Sequence, residues 1–250
     1  MVNEFHRRLT LAFTLVALAI GGGAGIYVYW VTTQIDSFAV SRQTALVQRA
    51  INEAIIDIGR QQQTVTVWDD AVAKTRAGDQ KWMAENIGEW MRSFFGHDEV
   101  YVIDGHNMPV YAMEGGRTVP ASAFEAVRPR LEQLAGDLRR TLRTAPDRGA
   151  AEAHDVMMIA GTPALVSMKA IVPSNDRTAV DPGDEFIHIS VIDLTDAYLR
   201  RLGEHHLISG VRYSPTPSTS KSEISLPLAA SGGPIGYAVW PAVRPGPASS

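Results

Sequence analysis

The chain has no cysteine among its 250 residues. That absence excludes disulfide frameworks, thiolate zinc sites, cysteine nucleophiles, iron–sulfur clusters and c-type haem attachment together. It leaves the compartment open, because a cysteine-free chain is viable on either side of a membrane. An excess of positive charge is also missing: 23 basic against 27 acidic residues give −4 at pH 7. Nothing here would neutralise a run of phosphates, so a protein wrapped on nucleic acid is excluded. Signatures of catalysis are absent too. There is no Gly-x-Ser-x-Gly elbow, no His-Glu-x-x-His and no phosphate-binding loop in an aqueous setting. No cofactor is implied. What the chain does have is apolar residues, at 45% hydrophobic against 20% charged, which suits a folded core.

The apolar residues are unevenly spread. Leu9 to Val31 carries no charge. A helix of those roughly 23 residues is about 34 Å long, enough to cross the hydrocarbon core. Thr10 and Thr14 are tolerated there because a hydroxyl can bond back to a backbone carbonyl. Tyr27, Tyr29 and Trp30 gather at one end, where amphipathic rings favour the interface. Arg7 and Arg8 flank the other end, while Asp36 precedes Arg42 on the far side. The positive-inside bias puts residues 1–8 in the cytoplasm and the bulk of the chain outside. A cleaved signal peptide ending near Gly22-Gly23-Ala24 is the competing reading, and it also exports the chain. The apolar run continuing through Ile26 to Val31 favours the anchor. Gly21 and Gly25 have the spacing that lets two membrane helices approach closely, although generic glycine tolerance in a membrane helix explains them equally well.

Beyond the anchor, Val47, Ile51, Ile55, Ile58, Val65, Trp68 and Val72 recur at three- and four-residue steps, with Gln62 in one slot. The spacing predicts one long helix over residues 33–76, its seam facing either a second copy or its own sheet. Gln61–Gln63 suggests a partly solvated middle. A helix is expected over Gln80–Phe95, stopped by Gly96. Strands are expected at Glu99–Asp104 and Pro109–Met113, joined by a turn at Gly105-His106-Asn107. An Arg-rich helix covers Ser122–Arg143. Strands follow at Val156–Ala160, Ala164–Val172 and Phe186–Leu194, then a helix at Asp196–Gly203. Strands at Ile224–Leu228 and Ile235–Trp240 close the chain. This order predicts an α+β fold: a transmembrane helix continuing into a long helix, then a PAS-like, mainly antiparallel sheet with helices to one side.

Specific residues sharpen this. Val67-Trp68-Asp69-Asp70-Ala71, Trp82 with Glu85-Asn86-Ile87-Gly88-Glu89-Trp90, Phe95-Gly96-His97-Asp98-Glu99-Val100-Tyr101-Val102-Ile103-Asp104 and Pro109-Val110-Tyr111-Ala112 stand in order. Ile189–Leu194, Tyr198-Leu199 with Leu202-Gly203, and Pro234–Trp240 follow. The set resembles the fourth class of CHASE domain, over about residues 45–245. The resemblance implies an extracellular sensing domain of a membrane-bound cyclase or histidine kinase. Such domains usually lie between two membrane helices and precede a cyclic-di-GMP module. The chain departs from that pattern: it stops at Ser250 soon after its last expected strand, with no second membrane segment and no output domain in it.

The resulting layout is a cytoplasmic N-terminus at 1–8, a transmembrane helix at 9–31, an extracytoplasmic sensor domain at 32–245 and a tail at 246–250. The localisation expected is the bacterial inner membrane, with most of the chain periplasmic. The partners expected are the lipid bilayer, a small-molecule ligand and a second copy meeting it through the membrane and the long helix. Trp68 with Asp69 and Asp70 could meet a cationic ligand, or Trp68 could be core and the acids solvated. Tyr101, Tyr111 and Met168 could line a sheet pocket, or be ordinary core. His97-Asp98-Glu99 and His205-His206 read poorly as metal sites, since adjacent side chains diverge. Pro182-Gly183-Asp184-Glu185-Phe186 resembles a diguanylate cyclase signature but reads as a solvated loop opening a strand. Two other classes stay open: an anchored exported hydrolase, and an anchored interaction protein.

Overall fold

The computed structural model describes residues 34, 37–175 and 181–243. The anchor expected at 9–31, with Gly21 and Gly25, lies outside them. Among the described residues no helix is long and apolar enough to cross a membrane. The chain divides into two units, Met1–Leu46 with Ala242–Ser250, and Val47–Pro241. In the first, the Gln43 amide clips the main chain of Val243. Its Nε2 donates to the Val243 carbonyl at 2.8 Å and its Oε1 accepts from the Val243 N–H at 3.2 Å.

Residues 37–66 form helix α1. In the second unit its stripe of Val47, Ile51, Ile55, Ile58 and Val65 is buried, so the seam faces the chain's own sheet. Gln63 is exposed, Gln61 half-buried and Gln62 fully buried, so the middle of the helix is solvated on its outer side only, as expected. The helix does not reach residue 76 as one piece. Thr64-Val65-Thr66-Val67 is a β-branched run that holds helix poorly. Val67 instead bridges Val172 in parallel, and Trp68 takes an extended conformation with φ −159° and ψ 130°. Trp68 N–H donates to the Val172 carbonyl at 3.0 Å, and Val172 N–H to the Thr66 carbonyl at 2.8 Å. Helix α2, Asp69–Arg76, starts after this break.

Helix α3 (Gln80–Met83) is capped by the Asp79 carboxylate on Trp82 N–H. It widens into a π turn, Ala84–Gly88, and continues as α4 (Glu89–Phe95), which ends at Gly96 with φ 77°. Gly88 in this turn lies against the Tyr111 ring: a Cβ there would stand 2.1 Å from the hydroxyl and 2.7 Å from ring carbons. Gly88→Ala therefore overpacks a rigid neighbour. It should destabilise the fold by about 1–3 kcal/mol, read as a lower midpoint in urea titration with unchanged slope.

Strands β1 (Glu99–Ile103), β2 (Pro109–Glu114), β3 (Arg117–Val119), β4 (Glu152–Ile159), β5 (Thr162–Ile171) and β6 (Phe186–Asp193) form one six-stranded sheet in the order β3-β2-β1-β6-β5-β4. Every named pair is antiparallel. Period-two alternation gives it two buried faces. Tyr101, Ala112, Val166, Met168, Ile187 and Ile189 meet a 3₁₀ turn (Ala121–Ala126) and helix α5 (Arg128–Leu142). Val100, Val102, Tyr111, Met113 and Ile171 meet α1 to α4. Helices thus cover both faces rather than the single side expected, because β1, β5 and β6 are apolar on both.

After the sheet come helix α6 (Asp196–His205) and a small sheet of β7 (Arg212–Ser214), β8 (Glu223–Ala230) and β9 (Gly233–Pro241), in the order β7-β9-β8. Strands β8 and β9 lie against the edge strand β4. The three-residue β3 and β7 escape a periodicity reading because they are too short to show one.

Candidate functional site

The face of the sheet under α1 is polar where an apolar surface would be expected. Period two turns Ser167 and Lys169 of β5, and His188 and Ser190 of β6, toward α1, with Ser167 opposite Ser190 and Lys169 opposite His188. All four are buried. From α1, Gln62 Nε2 donates to His188 Nδ1 at 2.8 Å and to the Ser167 and His188 carbonyls at 3.1 and 3.2 Å. His97, set by the left-handed Gly96, reaches the same seam. Its Nε2 donates to Gln61 Oε1 at 2.7 Å, and its Nδ1 accepts from Ser190 Oγ at 2.8 Å. Two glutamines on consecutive positions of α1 therefore each hold one histidine of the domain.

The seam is incompletely satisfied. With Nδ1 accepting, the His188 proton sits on Nε2, which has no partner among the described residues. Gln62 Oε1, Thr66 Oγ1 and Ser167 Oγ are also buried without partners. Each such group costs about 1–3 kcal/mol relative to a paired one. Burial lowers the His97 pKa to about 4. Burial, then the proximity of His97, lowers that of His188 to about 3. Both rings are neutral near pH 7. Lys169 meets Glu152 at 3.6 Å, and that carboxylate lies over Gly59 of α1, where a Cβ would come within 2.3 Å of Oε2. Helix α1 is thus fastened by apolar contacts along its stripe and by an incompletely satisfied polar patch.

A cleft of about 420 Å³ opens at the β4 edge. One wall is the solvent-facing stripe of α5, with Arg130, Gln133, Leu134 and Asp137; the other is Asp155, Met157 and Met158 of β4. The β8–β9 turn, Ala230–Ile235, forms the rim, and the Asp155 carboxylate accepts from Ser231 N–H at 3.1 Å. Asp155 also borders a groove of about 360 Å³ that runs to Ile51, Ile55 and Ile56 of α1. A third groove, about 330 Å³, lies between Glu53 and Asp57 of α1 and Tyr198 and His205 of α6, with His206 just after it. No group of three metal-ligating side chains assembles among the described residues.

The residues singled out in the sequence fall in separate places. Tyr101 and Met168 point into the core under α5. The Tyr101 hydroxyl shares its proton between Glu99 Oε2 and Glu114 Oε1, 2.9 Å from each, and burial raises the Glu99 pKa. Tyr111 lies on the opposite face, its hydroxyl 2.9 Å from Thr118 Oγ1. Trp68 is half-buried against Trp82, ring centroids 5.1 Å apart. Asp69 accepts from Ser174 N–H at 2.9 Å and from the Asn175 amide, while Asp70 is exposed. His97, Asp98 and Glu99 diverge as expected, with Asp98 pairing Arg92 at 2.5 Å. Glu185 corrects the solvated-loop reading of its segment. It is fully buried, pairs Arg148 at 2.7 Å and accepts from Gly183 N–H at 2.8 Å. Sequence reasoning missed the seam. Its signals were Gln62 in an apolar slot and His188 with Ser190 on one parity of an apolar strand.

A long helix laid across an antiparallel sheet with β1 between β2 and β6 is a PAS-like sensor architecture. The family model of the CHASE4 domain matches residues 50–214, and the chain belongs to that family. Among solved structures, the periplasmic domain of LuxQ from Vibrio cholerae is similar in fold, with TM-score 0.50 and 10% identity over 81% of this chain and 98% of that one. No curated protein sequence matches the chain. The family makes residues 50–214 an extracellular sensory domain of a signal-transduction protein.

Proposed function

We propose that the chain is the membrane-anchored input module of a bacterial signalling protein. Residues 9–31 hold it in the inner membrane, with residues 1–8 cytoplasmic and residues 32–245 periplasmic. Its output is a cyclic-di-GMP cyclase or phosphodiesterase, or a histidine kinase, encoded in the same gene. Two copies pair through their membrane helices, with Gly21 and Gly25 at the contact, and through α1. A small ligand that prefers one arrangement of α1 on the sheet shifts the population toward it. The observation that carries this reading is the seam: Gln61–His97 and Gln62–His188 attach α1 through few, replaceable hydrogen bonds beside unpaired polar atoms. Such a patch loses little when the helix moves, whereas a close-packed apolar interface resists sliding.

Topology is tested in living bacteria with the full chain fused at its end to alkaline phosphatase or to green fluorescent protein. The phosphatase fusion should be active and the fluorescent fusion dark. A fluorescent fusion with inactive phosphatase would place the domain in the cytoplasm and overturn the reading.

A further inference from the structure

The cleft at the β4 edge has charges that the fold leaves unused. The Arg130 guanidinium on α5 makes no hydrogen bond or ion pair among the described residues; only its main-chain N–H is used, donating to the Val127 carbonyl. Its neighbour on the same wall, Asp137, is already paired with Arg140. Across the cleft, Asp155 has only main-chain partners, the N–H groups of Val156 and Ser231. No cation faces it among the described residues. One open guanidinium and one carboxylate lacking a cation thus stand on opposite walls. Leu134, Met157 and Met158 also line the cleft and supply an apolar surface of adaptable shape. A volume of about 420 Å³ is within the range of small-molecule sites.

We propose that this cleft binds a small zwitterion with an apolar side chain, of the α-amino acid type. Arg130 takes the carboxylate in a bidentate pair, the geometry guanidinium favours. Asp155 takes the ammonium group. The side chain lies on Leu134, Met157 and Met158. A simple anion would face two carboxylates and a simple cation would face Arg130, so neither matches the walls as well. Asp155 lends the site a consequence. It borders both this cleft and the groove reaching Ile51 and Ile55 of α1. An ammonium that draws Asp155 away from Ser231 N–H therefore acts on β4 at the point where β4 adjoins the long helix. This assignment rests on the sensory reading above and names its ligand class.

The test uses the full chain in detergent micelles and three probes with one branched tail. L-leucine carries both charges, 4-methylpentanoate only the carboxylate, and 3-methylbutylamine only the ammonium. Calorimetric titration should detect leucine, with each half-probe weaker by about tenfold or more. Arg130→Gln should weaken leucine and 4-methylpentanoate and leave the amine unchanged. Asp155→Asn keeps an acceptor for Ser231 N–H, and should weaken leucine and the amine only. Leucine that fails to bind at millimolar concentration, or binds both variants as it binds the parent, overturns the assignment. So does a half-probe that binds as tightly as leucine. Because export is read separately by the phosphatase fusion, a silent cleft in an exported domain rejects the ligand class and leaves the sensory reading standing.

Discussion

Replacing Arg139 with leucine is expected to cost the domain about 3–5 kcal/mol, because several buried acceptors each lose a donor at about 1–3 kcal/mol apiece. The residue sits on the buried side of α5 with Leu131, Ala135, Leu138 and Leu142, yet it carries a guanidinium into the core. Its Nη1 donates to the carbonyls of Gly183 and Glu185 at 2.8 and 3.1 Å, its Nη2 to the carbonyl of Asp104, and its Nε to Asn107 Oδ1 at 2.7 Å. It therefore ties the turn after β1 to the loop before β6, beside the Arg148–Glu185 pair. Leucine matches part of the volume and leaves those carbonyls unpaired away from water. In thermal unfolding the midpoint should fall by roughly 10 °C, at about 2–4 °C per kcal/mol for a domain of this size. Arg139→Lys keeps the charge but not the fork, and should land between the two. A midpoint for the leucine variant within about 2 °C of the parent would mean that water replaces these donors without loss.

Mild acid should weaken the fold through the seam. His97 and His188 are buried neutral, so their folded pKa values of about 4 and about 3 lie below the unfolded value of 6.5. Below pH 6.5 the unfolded chain takes up protons that the folded chain refuses. Stability is therefore greatest above pH 6.5 and falls as pH drops, toward pH 4 for His97 and pH 3 for His188. Each histidine contributes a slope of about 1 kcal/mol per pH unit within its window. Glu99 and Asp193 act in the other direction, because burial lifts their pKa values. Their protonated forms favour the folded state as pH falls through the carboxylate range, and they offset part of the loss there. Comparing urea titrations of the parent and of a variant lacking His188, from pH 7 to pH 5, isolates that histidine as the difference, since the carboxylates are common to both. His188→Leu alone should destabilise at pH 7, because the buried Gln62 amide loses the ring nitrogen, one of its three acceptors. The pair Gln62→Leu with His188→Leu removes both partners and should recover most of that loss with a flatter acid slope. A double variant with the same acid slope as the parent would show that the His188 ring is solvated.

The acid response also marks where sequence reading stops. The strands β1, β2, β5 and β6 were legible because Val, Ile and Tyr alternate between turn residues, and α4 because Gly96 caps it. The order of those elements carried the family resemblance. The break at Val67 was not legible as a position, since the apolar three- and four-residue spacing runs on through Val72. Only the pairing of Val67 with Val172, over a hundred residues away in sequence, decides it. The site was less legible than the fold. Tyr101, Tyr111 and Met168 were recognised as buried strand residues, but strand parity sends Tyr111 to the face opposite the other two. The cleft draws on α5, β4 and the β8–β9 turn, three segments with no shared motif, and only the folded chain brings Arg130 across from Asp155.

The position of the seam along α1 has a mechanical meaning. Gln61 and Gln62 are near the far end of the helix, next to the break at Val67 that joins it to the end of β5. Measured back from Gln62 to Val47, the rod is about 22 Å long. If it pivots at the glutamines, a tilt of about 5° carries the Val47 end through roughly 2 Å, the scale of helix shifts that reset paired subunits. The domain holds its lever by the short end. Breaking one hydrogen bond at the fulcrum is a small event there and a large one at the tip.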